Sequence, residues 1–118
     1  MTSDELKKRT RSFASTVVQF ARRLPTDPVT TIMTRQLVRS GTGVGSNYRS
    51  SCRAKSRADF ISKMTTAEEE ADETHYWLEL LVETGTVRQE HVASLLDETD
   101  QLVRILVASI KTARLNGD

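Results

Sequence analysis

The chain has 118 residues, which suits one domain with a single modest core. Apolar residues make up 37% of it and proline and glycine are scarce, a balance that favours helices and argues against a strand-and-turn sandwich or a disordered chain. Cys52 is the single cysteine, which excludes an internal disulfide and a cysteine-based zinc cluster. The first residues are polar and no run approaches the roughly 18 apolar residues of a membrane span, so we expect a cytoplasmic protein without membrane contact.

The charges are unevenly distributed, although the formal net charge is only +1. Residues 1–63 hold 13 of the 17 Lys and Arg residues and 4 of the 16 Asp and Glu residues, which leaves 4 and 12 for residues 64–118. Two interpretations follow. The basic half could bind an anionic partner, or the two halves could pair with each other within or between subunits.

Helix one is predicted at about residues 3–24. Thr2 and Glu5 have the spacing of a capping box, and Pro25 ends the helix. Apolar and small residues recur at alternating steps of four and three, which predicts one buried face. This face contains Leu6, Thr10, Phe13, Val17, Phe20 and Leu24.

Helix two is predicted at about residues 28–54, with Asp27 as the N-cap and Pro28 in the first turn. Its predicted buried face contains Met33, Leu37, Ser40, Val44, Asn47 and Ser51. Gly41, Gly43 and Gly45 each cost up to about 1 kcal/mol of helix propensity relative to alanine. Close approach of a neighbouring helix would explain them, and a kink or break at this segment is the alternative.

Helices three and four are predicted at about 57–84 and 88–114. Ser56 with Asp59, and Thr86 with Gln89, resemble capping boxes, while Gly85 supplies the left-handed end of helix three. The buried face of helix three contains Phe60, Met64, Ala67, Ala71, Thr74, Leu78 and Leu81. Because the turn between the two helices is tight, the chain is predicted to be an all-α, antiparallel up-down four-helix bundle forming one domain over 1–118.

Helix four is apolar on two sides. Its buried face is predicted to contain Val92, Leu95, Thr99, Leu102, Leu106 and Ile110, and the face is widened by Leu96, Val103, Ile105 and Val107. On helix three, Tyr76 and Leu80 lie roughly opposite the buried face. This surplus of apolar surface predicts a homo-oligomer, with scattered exposed apolar residues as the alternative.

No catalytic, cofactor or metal site can be assigned. A di-metal bundle needs a Glu-x-x-His motif on each of two helices, whereas Asp72-x-x-His75 occurs once and lies off the buried face. His91 is expected at the surface. The glycines of helix two do not form a phosphate-binding loop. Cys52 has no histidine on its helix to act as a base. We therefore expect a protein that is not an enzyme and needs no cofactor.

A basic stripe on helix two is more informative. Arg35, Arg39, Arg49 and Arg53 are predicted to form one exposed line, with Thr42 and Ser46 between them. Lys55 and Arg57 extend this line beyond the helix end. No aromatic residues alternate with these cations, so we expect nucleic-acid contact, if any, to be directed at the backbone, salt-sensitive and weakly sequence-specific.

Two segments carry a family resemblance. The first segment is Gln36-Leu37-Val38-Arg39-Ser40, followed by Val44 and Asn47, and the second is the block from Glu70 to Leu81 with the sequence EADETHYWLELL. They resemble the bacterial four-helix-bundle family of 23S ribosomal RNA intervening-sequence proteins. The resemblance implies an up-down bundle, often a homopentamer, without known catalytic activity. A related branch, the accessory protein of diversity-generating retroelements, is a strongly basic pentamer that binds a reverse transcriptase and nucleic acid. The near-neutral charge here departs from that branch.

Within the resemblance, Asn47 lies on the buried face of helix two, where a polar side chain needs buried partners. Thr74 is on the buried face of helix three, with Glu70 and Glu73 nearby. We hypothesise that a buried hydrogen-bond link between Asn47 and this segment fixes the helix register.

The leading functional hypothesis is a non-catalytic oligomer that binds RNA or a ribonucleoprotein through the arginines of helix two. The alternative is a protein–protein adaptor, for example one accessory to a reverse transcriptase, in which basic helix two and acidic helix three pair across subunits. An enzyme is the third hypothesis, and it lacks an identifiable site.

Overall fold

The computed structural model describes residues 1–116, which form four helices: α1 (Ser3–Ala21), α2 (Pro28–Ser51), α3 (Arg57–Glu83) and α4 (Gln89–Leu115). Each helix packs against the next one in the chain, and the bundle measures 51 × 22 × 21 Å. No strand occurs in the described part of the chain. The predicted all-α four-helix bundle is therefore confirmed.

The predicted caps of α1 and α2 are present. The Thr2 hydroxyl accepts a hydrogen bond from the Glu5 amide at 3.1 Å, and the Glu5 carboxylate accepts one from the Thr2 amide at 3.3 Å. The Asp27 carboxylate accepts from the Thr30 amide at 3.0 Å. These bonds satisfy amide groups that a helix start leaves without an intrahelical partner, and they confirm both predicted starting points.

The predicted caps of α3 and α4 are corrected in part. Ser56 accepts from the Asp59 amide at 3.1 Å, but the Asp59 carboxylate accepts from the Lys55 amide instead of the Ser56 amide, so only half of a capping box forms. Thr86 does not cap α4. That helix begins after Arg88, which makes no side-chain capping bond.

Thr86 is instead part of the end of α3. Its amide donates to the Leu81 carbonyl at 3.0 Å, and the Gly85 amide donates to the Val82 carbonyl at 2.9 Å. These two bonds form a Schellman motif, which requires a left-handed residue after the helix. Gly85 has φ +73°, as predicted, and the Thr86 amide, which a capping box would pair with Gln89, is bonded to Leu81 instead.

Two helices are shorter than predicted. α1 ends at Ala21 rather than near 24, and α2 ends at Ser51 rather than near 54. In both cases the next three residues continue as a tighter turn, in which Leu24 donates to Ala21 and Ala54 donates to Ser51 at 3.1 Å. The apolar spacing continues through this turn, since Leu24 is buried, so the sequence pattern does not mark the change.

α2 runs without a break through its glycines. A Cβ atom added at Gly41 would lie 2.8 Å from Val17 Cγ1, and one added at Gly45 would lie 3.2 Å from Thr10 Oγ1. A side chain at position 41 would thus clash with α1, and Gly45 allows close contact with Thr10. The prediction of close approach is confirmed, and the alternative of a kink or break is wrong.

The core follows the predicted faces with two exchanges, and Phe60 of α3 is half-buried instead of buried. On α1, Ala21 is buried whereas Phe20 is half-buried. Tyr48 is buried on α2, whereas Asn47 is half-buried. On α4 the side chains of Leu96, Val103 and Ile105 are half-buried and pack against the core. Part of the surplus apolar surface of α4 is therefore covered within the chain.

α1 and α4 approach each other less closely than the other neighbouring helices. An ion pair joins them: Arg9 Nε donates to Glu98 Oε2 at 2.8 Å, and Arg9 Nη2 donates to Glu98 Oε1 at 2.6 Å. Arg9 Nη2 also donates to the Gln101 side chain at 2.8 Å. Among residues 1–116, no helix combines the length and apolarity needed to cross a bilayer.

Candidate nucleic-acid interface

The four arginines predicted to line α2 are exposed, but they do not share one surface. Arg39 turns toward α3, where Nη2 donates to Glu73 Oε2 and Nη1 donates to Glu70 Oε1 at 3.5 Å. The hydrogen bond that Arg39 donates to Glu73 is the main cause that raises the pKa of Arg39. The charge of Arg39 is thus balanced by two carboxylates, which makes it a poor contact for an anion.

Arg35 lies beside a hollow near the α1–α2 turn. That hollow is mainly apolar and includes Leu24, Pro25 and Val38, with Arg22 and Arg39 also in its lining. The middle of the predicted arginine line is therefore interrupted, and its two ends belong to separate surfaces.

Arg49 and Arg53 line a groove between α1 and α2, together with Lys7 and Arg11 of α1. We call this surface the basic groove. It has a volume of about 640 Å³, and its remaining lining residues are Thr10, Ala14, Thr42, Gly45, Ser46 and Ser50. No acidic residue lines it, and none of the four cations forms an ion pair within residues 1–116.

The shape of the basic groove follows from the small residues on its floor. Gly45 lies against Thr10, so the backbones of α1 and α2 come close together and the long cationic side chains stand on either side. Lys7 and Arg11 are four residues apart on α1, which places them on one face of that helix. Arg49 lies in the last turn of α2 and Arg53 in the turn that follows it, and all four cations line the same groove.

Lys7 and Arg11 were absent from the sequence-based candidates. Each directly follows a core residue of α1, Leu6 or Thr10, and this offset places both on the edge of α1 that faces α2. The signal was present in the sequence. This offset identifies Lys7 and Arg11 as groove residues only when α1 and α2 are known to be neighbours in this orientation.

Lys55 and Arg57 do not line the basic groove. Both are exposed, in the α2–α3 connection and at the start of α3. The Lys55 amide donates to Asp59 at 3.1 Å, and the Lys55 side chain borders a shallow hollow near Cys52. The turn after α2 carries both residues away from the line of Arg49 and Arg53.

The family model of the 23S rRNA-intervening sequence protein matches residues 3–108. The chain belongs to this family. A 1.70 Å crystal structure of a protein of unknown function from the S23 ribosomal protein family of Bacteroides thetaiotaomicron VPI-5482 has 37% sequence identity to it. The alignment covers 89% of this chain and 97% of the other, with a TM-score of 0.83. No curated protein matches the chain.

The polar core of this 23S rRNA-intervening sequence protein differs from the hypothesis about Asn47. The Asn47 side-chain amide donates to the Gly43 carbonyl of its own helix at 2.8 Å and does not reach α3. The buried link is formed by Thr74, whose hydroxyl lies 3.0 Å from the Ser40 hydroxyl and 2.8 Å from the Glu70 carbonyl of its own helix, so these two acceptors share its single proton. Asn47 is displaced from the core because the larger Tyr48 occupies the buried position beside it.

Glu70 and Glu73 belong to an ion-pair network at the edge of the core. Both accept from Arg39, and Glu73 also accepts from the Trp77 indole at 3.2 Å. The Glu70 side chain lies over Gly43, which leaves space for it on α2. These carboxylates are therefore engaged with partners of the same chain.

The remaining candidates for chemistry are dispersed. His75 Nδ1 lies 3.1 Å from Glu79 Oε1, and His91 is exposed. Cys52 is exposed, with its sulfur 3.4 Å from the Ser3 hydroxyl. Within residues 1–116, no three His, Cys, Asp or Glu side chains are grouped so that they could hold a metal ion.

Proposed function

We propose that this member of the 23S rRNA-intervening sequence protein family is a non-catalytic protein that binds the RNA backbone in the basic groove. The observation that supports it is the set of four cations, Lys7, Arg11, Arg49 and Arg53, on one surface without an acidic neighbour in the lining. Unpaired cations attract phosphates, and releasing the counterions of the nucleic acid favours binding.

The lining of the basic groove favours the backbone over the bases. It contains hydroxyl and aliphatic side chains but no aromatic ring, so the groove offers no platform on which bases could stack. Contacts to phosphates position a nucleic acid without reading its sequence. The proposed binding is therefore weakly sequence-specific.

The salt dependence of affinity tests the proposal. If four phosphates are neutralised, the logarithm of the association constant should fall with the logarithm of salt concentration with a slope of about −3 for a single strand. Fluorescence anisotropy with a labelled RNA at several salt concentrations gives this slope. Arg49→Gln and Arg53→Gln should each weaken binding and make the slope shallower by about one.

Arg35→Gln is the matched control, because Arg35 is an exposed arginine of the same helix outside the basic groove. It should lower the affinity much less than Arg49→Gln. No detectable binding at low salt, or equal losses from the Arg35 and Arg49 variants, would remove the proposal.

We also propose that the protein is a homo-oligomer, which the family resemblance implies as a pentamer. Support comes from three large apolar side chains on α2 and α3 that stay in solvent in the single chain: Val29, Ile32 and Tyr76, with 70%, 63% and 54% of their surface exposed. Light scattering should give a multiple of the 13.2 kDa chain mass. The double variant Val29→Ser and Ile32→Ser should lower that mass, and a monomeric wild-type protein at micromolar concentration would contradict the proposal.

The same exposed apolar residues favour a second candidate function, a protein–protein adaptor such as one accessory to a reverse transcriptase. Arg39 already pairs with Glu70 and Glu73 inside one chain, so this contact need not be made between subunits. The two functions are distinguished by their response to substitution. An adaptor should lose its partner in the Val29→Ser, Ile32→Ser variant, whereas RNA binding should respond to Arg49→Gln.

A further inference from the structure

Two hydroxyl side chains continue the line of cations along the basic groove. Thr42, Ser46 and Arg49 are separated by four and three residues, which places them on one face of α2, and Arg53 lines the same groove from the turn after the helix end. The groove is therefore cationic at the end nearer the α2 C-terminus and hydroxyl-lined further along, with Arg11 of α1 in the same lining.

The protons of these two hydroxyls are directed into the helix. Thr42 Oγ1 donates to the Val38 carbonyl at 2.7 Å, and Ser46 Oγ donates to the Gly43 carbonyl at 3.3 Å. A hydroxyl has one proton and two lone pairs. With the proton directed to a carbonyl of α2, tightly for Thr42 and over the longer 3.3 Å contact for Ser46, each oxygen atom can present a lone pair to the groove and accept a hydrogen bond there.

An acceptor in the groove requires a donor on the ligand. Phosphate oxygens can only accept, so they match the cations and not the two hydroxyls. In a nucleic-acid backbone the ribose 2′-hydroxyl is the group that can donate, and DNA lacks it. The hydroxyl part of the groove thus has the chemistry that complements ribose.

We propose that the basic groove distinguishes RNA from DNA, because Thr42 and Ser46 accept hydrogen bonds from ribose 2′-hydroxyls while the four cations hold the phosphates. This inference rests on the proposed function, namely that the groove binds a nucleic-acid backbone. Thr42 and Ser46 are one helical turn apart, a rise of about 6 Å, so the two oxygens can contact successive nucleotides of one strand.

The test compares three single strands of matched base sequence: RNA, DNA, and RNA with 2′-fluoro sugars, which lack the donor but keep the ribose-like ring shape. The wild-type protein should bind RNA about 10-fold more tightly than either of the others, as expected for two modest hydrogen bonds. The double variant Thr42→Val and Ser46→Ala should lose this preference by weakening RNA binding, with DNA affinity unchanged.

Thr66→Val is the matched control, since Thr66 is an exposed threonine of α3 whose hydroxyl also donates to its own helix, to Ser62 at 3.2 Å. It should leave the RNA preference intact. Thermal unfolding of all variants shows that they are folded before affinities are compared.

The outcomes separate the two proposals. If neither RNA nor DNA binds at low salt, both the proposed function and this inference fail. If RNA and DNA bind equally well with the expected salt dependence, or if 2′-fluoro RNA binds as tightly as RNA, the groove binds backbone phosphates and this inference alone is wrong.

Discussion

The hydroxyl of Thr74 on α3 donates to the hydroxyl of Ser40 on α2 across 3.0 Å, and neither residue is exposed to solvent. The Ser40 hydroxyl in turn lies 3.2 Å from the Leu37 carbonyl, to which it donates. No buried side-chain nitrogen or oxygen in the described residues lacks a partner. Since sliding one helix along the other would separate the two hydroxyls inside an apolar core, this pair favours one register of α2 against α3.

Replacing Thr74 with valine tests this contribution to stability. The substitution keeps the shape of the side chain and removes the hydroxyl, so it should lower the free energy of unfolding by about 1 kcal/mol. Urea unfolding measures the change. In the double variant with Ser40→Ala the second substitution should cost less than it does alone, because the partner is already missing. Strictly additive losses would show that the two hydroxyls are not coupled.

Much of the fold could be predicted because local signals coincide with it. The apolar spacing of Leu78 and Leu81, the cap at Asp27 and the left-handed Gly85 each act within a few residues of chain. The error at the start of α4 has a clear physical cause. Thr86 has a capping residue's identity, but the Schellman bond from its amide to Leu81 uses the backbone that the prediction assigned to α4.

The candidate site was only partly predictable because it depends on two helices. Helical spacing placed Arg35, Arg39, Arg49 and Arg53 at the surface, as the structure has them. The spacing of one helix does not reveal that Arg39 meets acidic side chains of α3, or that Lys7 of α1 stands beside the groove that Arg49 lines. Those contacts are set by tertiary packing.

Stability should fall at acidic pH because three capping carboxylates titrate. The hydrogen bond with Thr2 lowers the pKa of Glu5, the Thr30 amide lowers that of Asp27, and the Lys55 amide lowers that of Asp59. A carboxylate whose folded pKa lies below its unfolded pKa contributes fully above the unfolded pKa, and the contribution is lost as pH falls through the folded pKa. We therefore expect the melting temperature to decline below about pH 4.

Asp27→Asn isolates one of these groups. Asparagine is a comparable N-cap but does not titrate, so the variant should melt near the wild-type temperature at neutral pH and lose less between pH 4 and pH 2. Differential scanning calorimetry across this range measures the difference. Parallel curves for the two proteins would contradict a role for the Asp27 charge.

Alanine at two nearby glycines of α2 should have different effects. A Cβ at position 41 would lie 2.8 Å from Val17, a short side chain fixed in the core, so Gly41→Ala should lower the free energy of unfolding by about 1–3 kcal/mol. A Cβ at position 43 would meet the end of the Glu70 side chain, which can rotate away. Gly43→Ala should therefore be neutral or stabilising by up to about 1 kcal/mol through helix propensity.

Urea unfolding of the two alanine variants compares them directly, because both substitutions add the same methyl group to the same helix. Stabilisation by Gly41→Ala would show that α1 can move away from α2 at low cost. A large loss from Gly43→Ala would show that the position of Glu70 matters more for stability than the geometry indicates.

The ion pair between Arg9 and Glu98 should hold α1 against α4. Its two bonds, at 2.6 and 2.8 Å, form a fork, and both side chains are about 30% exposed. The hydrogen bonds that Arg9 donates to Glu98 raise the pKa of Arg9. Arg9→Met keeps the aliphatic stem and removes the charge, so we expect a loss of about 0.5–1 kcal/mol that shrinks at high salt.

Hydrogen exchange locates this effect in the bundle. Amides of α1 should exchange faster in the Arg9→Met protein, because α1 lies less close to α4 than to α2 and this ion pair links α1 to α4. Arg104→Met is the control, since Arg104 pairs with Asp100 on the same helix and both side chains are at least half exposed. If both variants change α1 exchange equally, the bridge between the helices is not what protects α1, and the closer packing of α1 on α2 is sufficient.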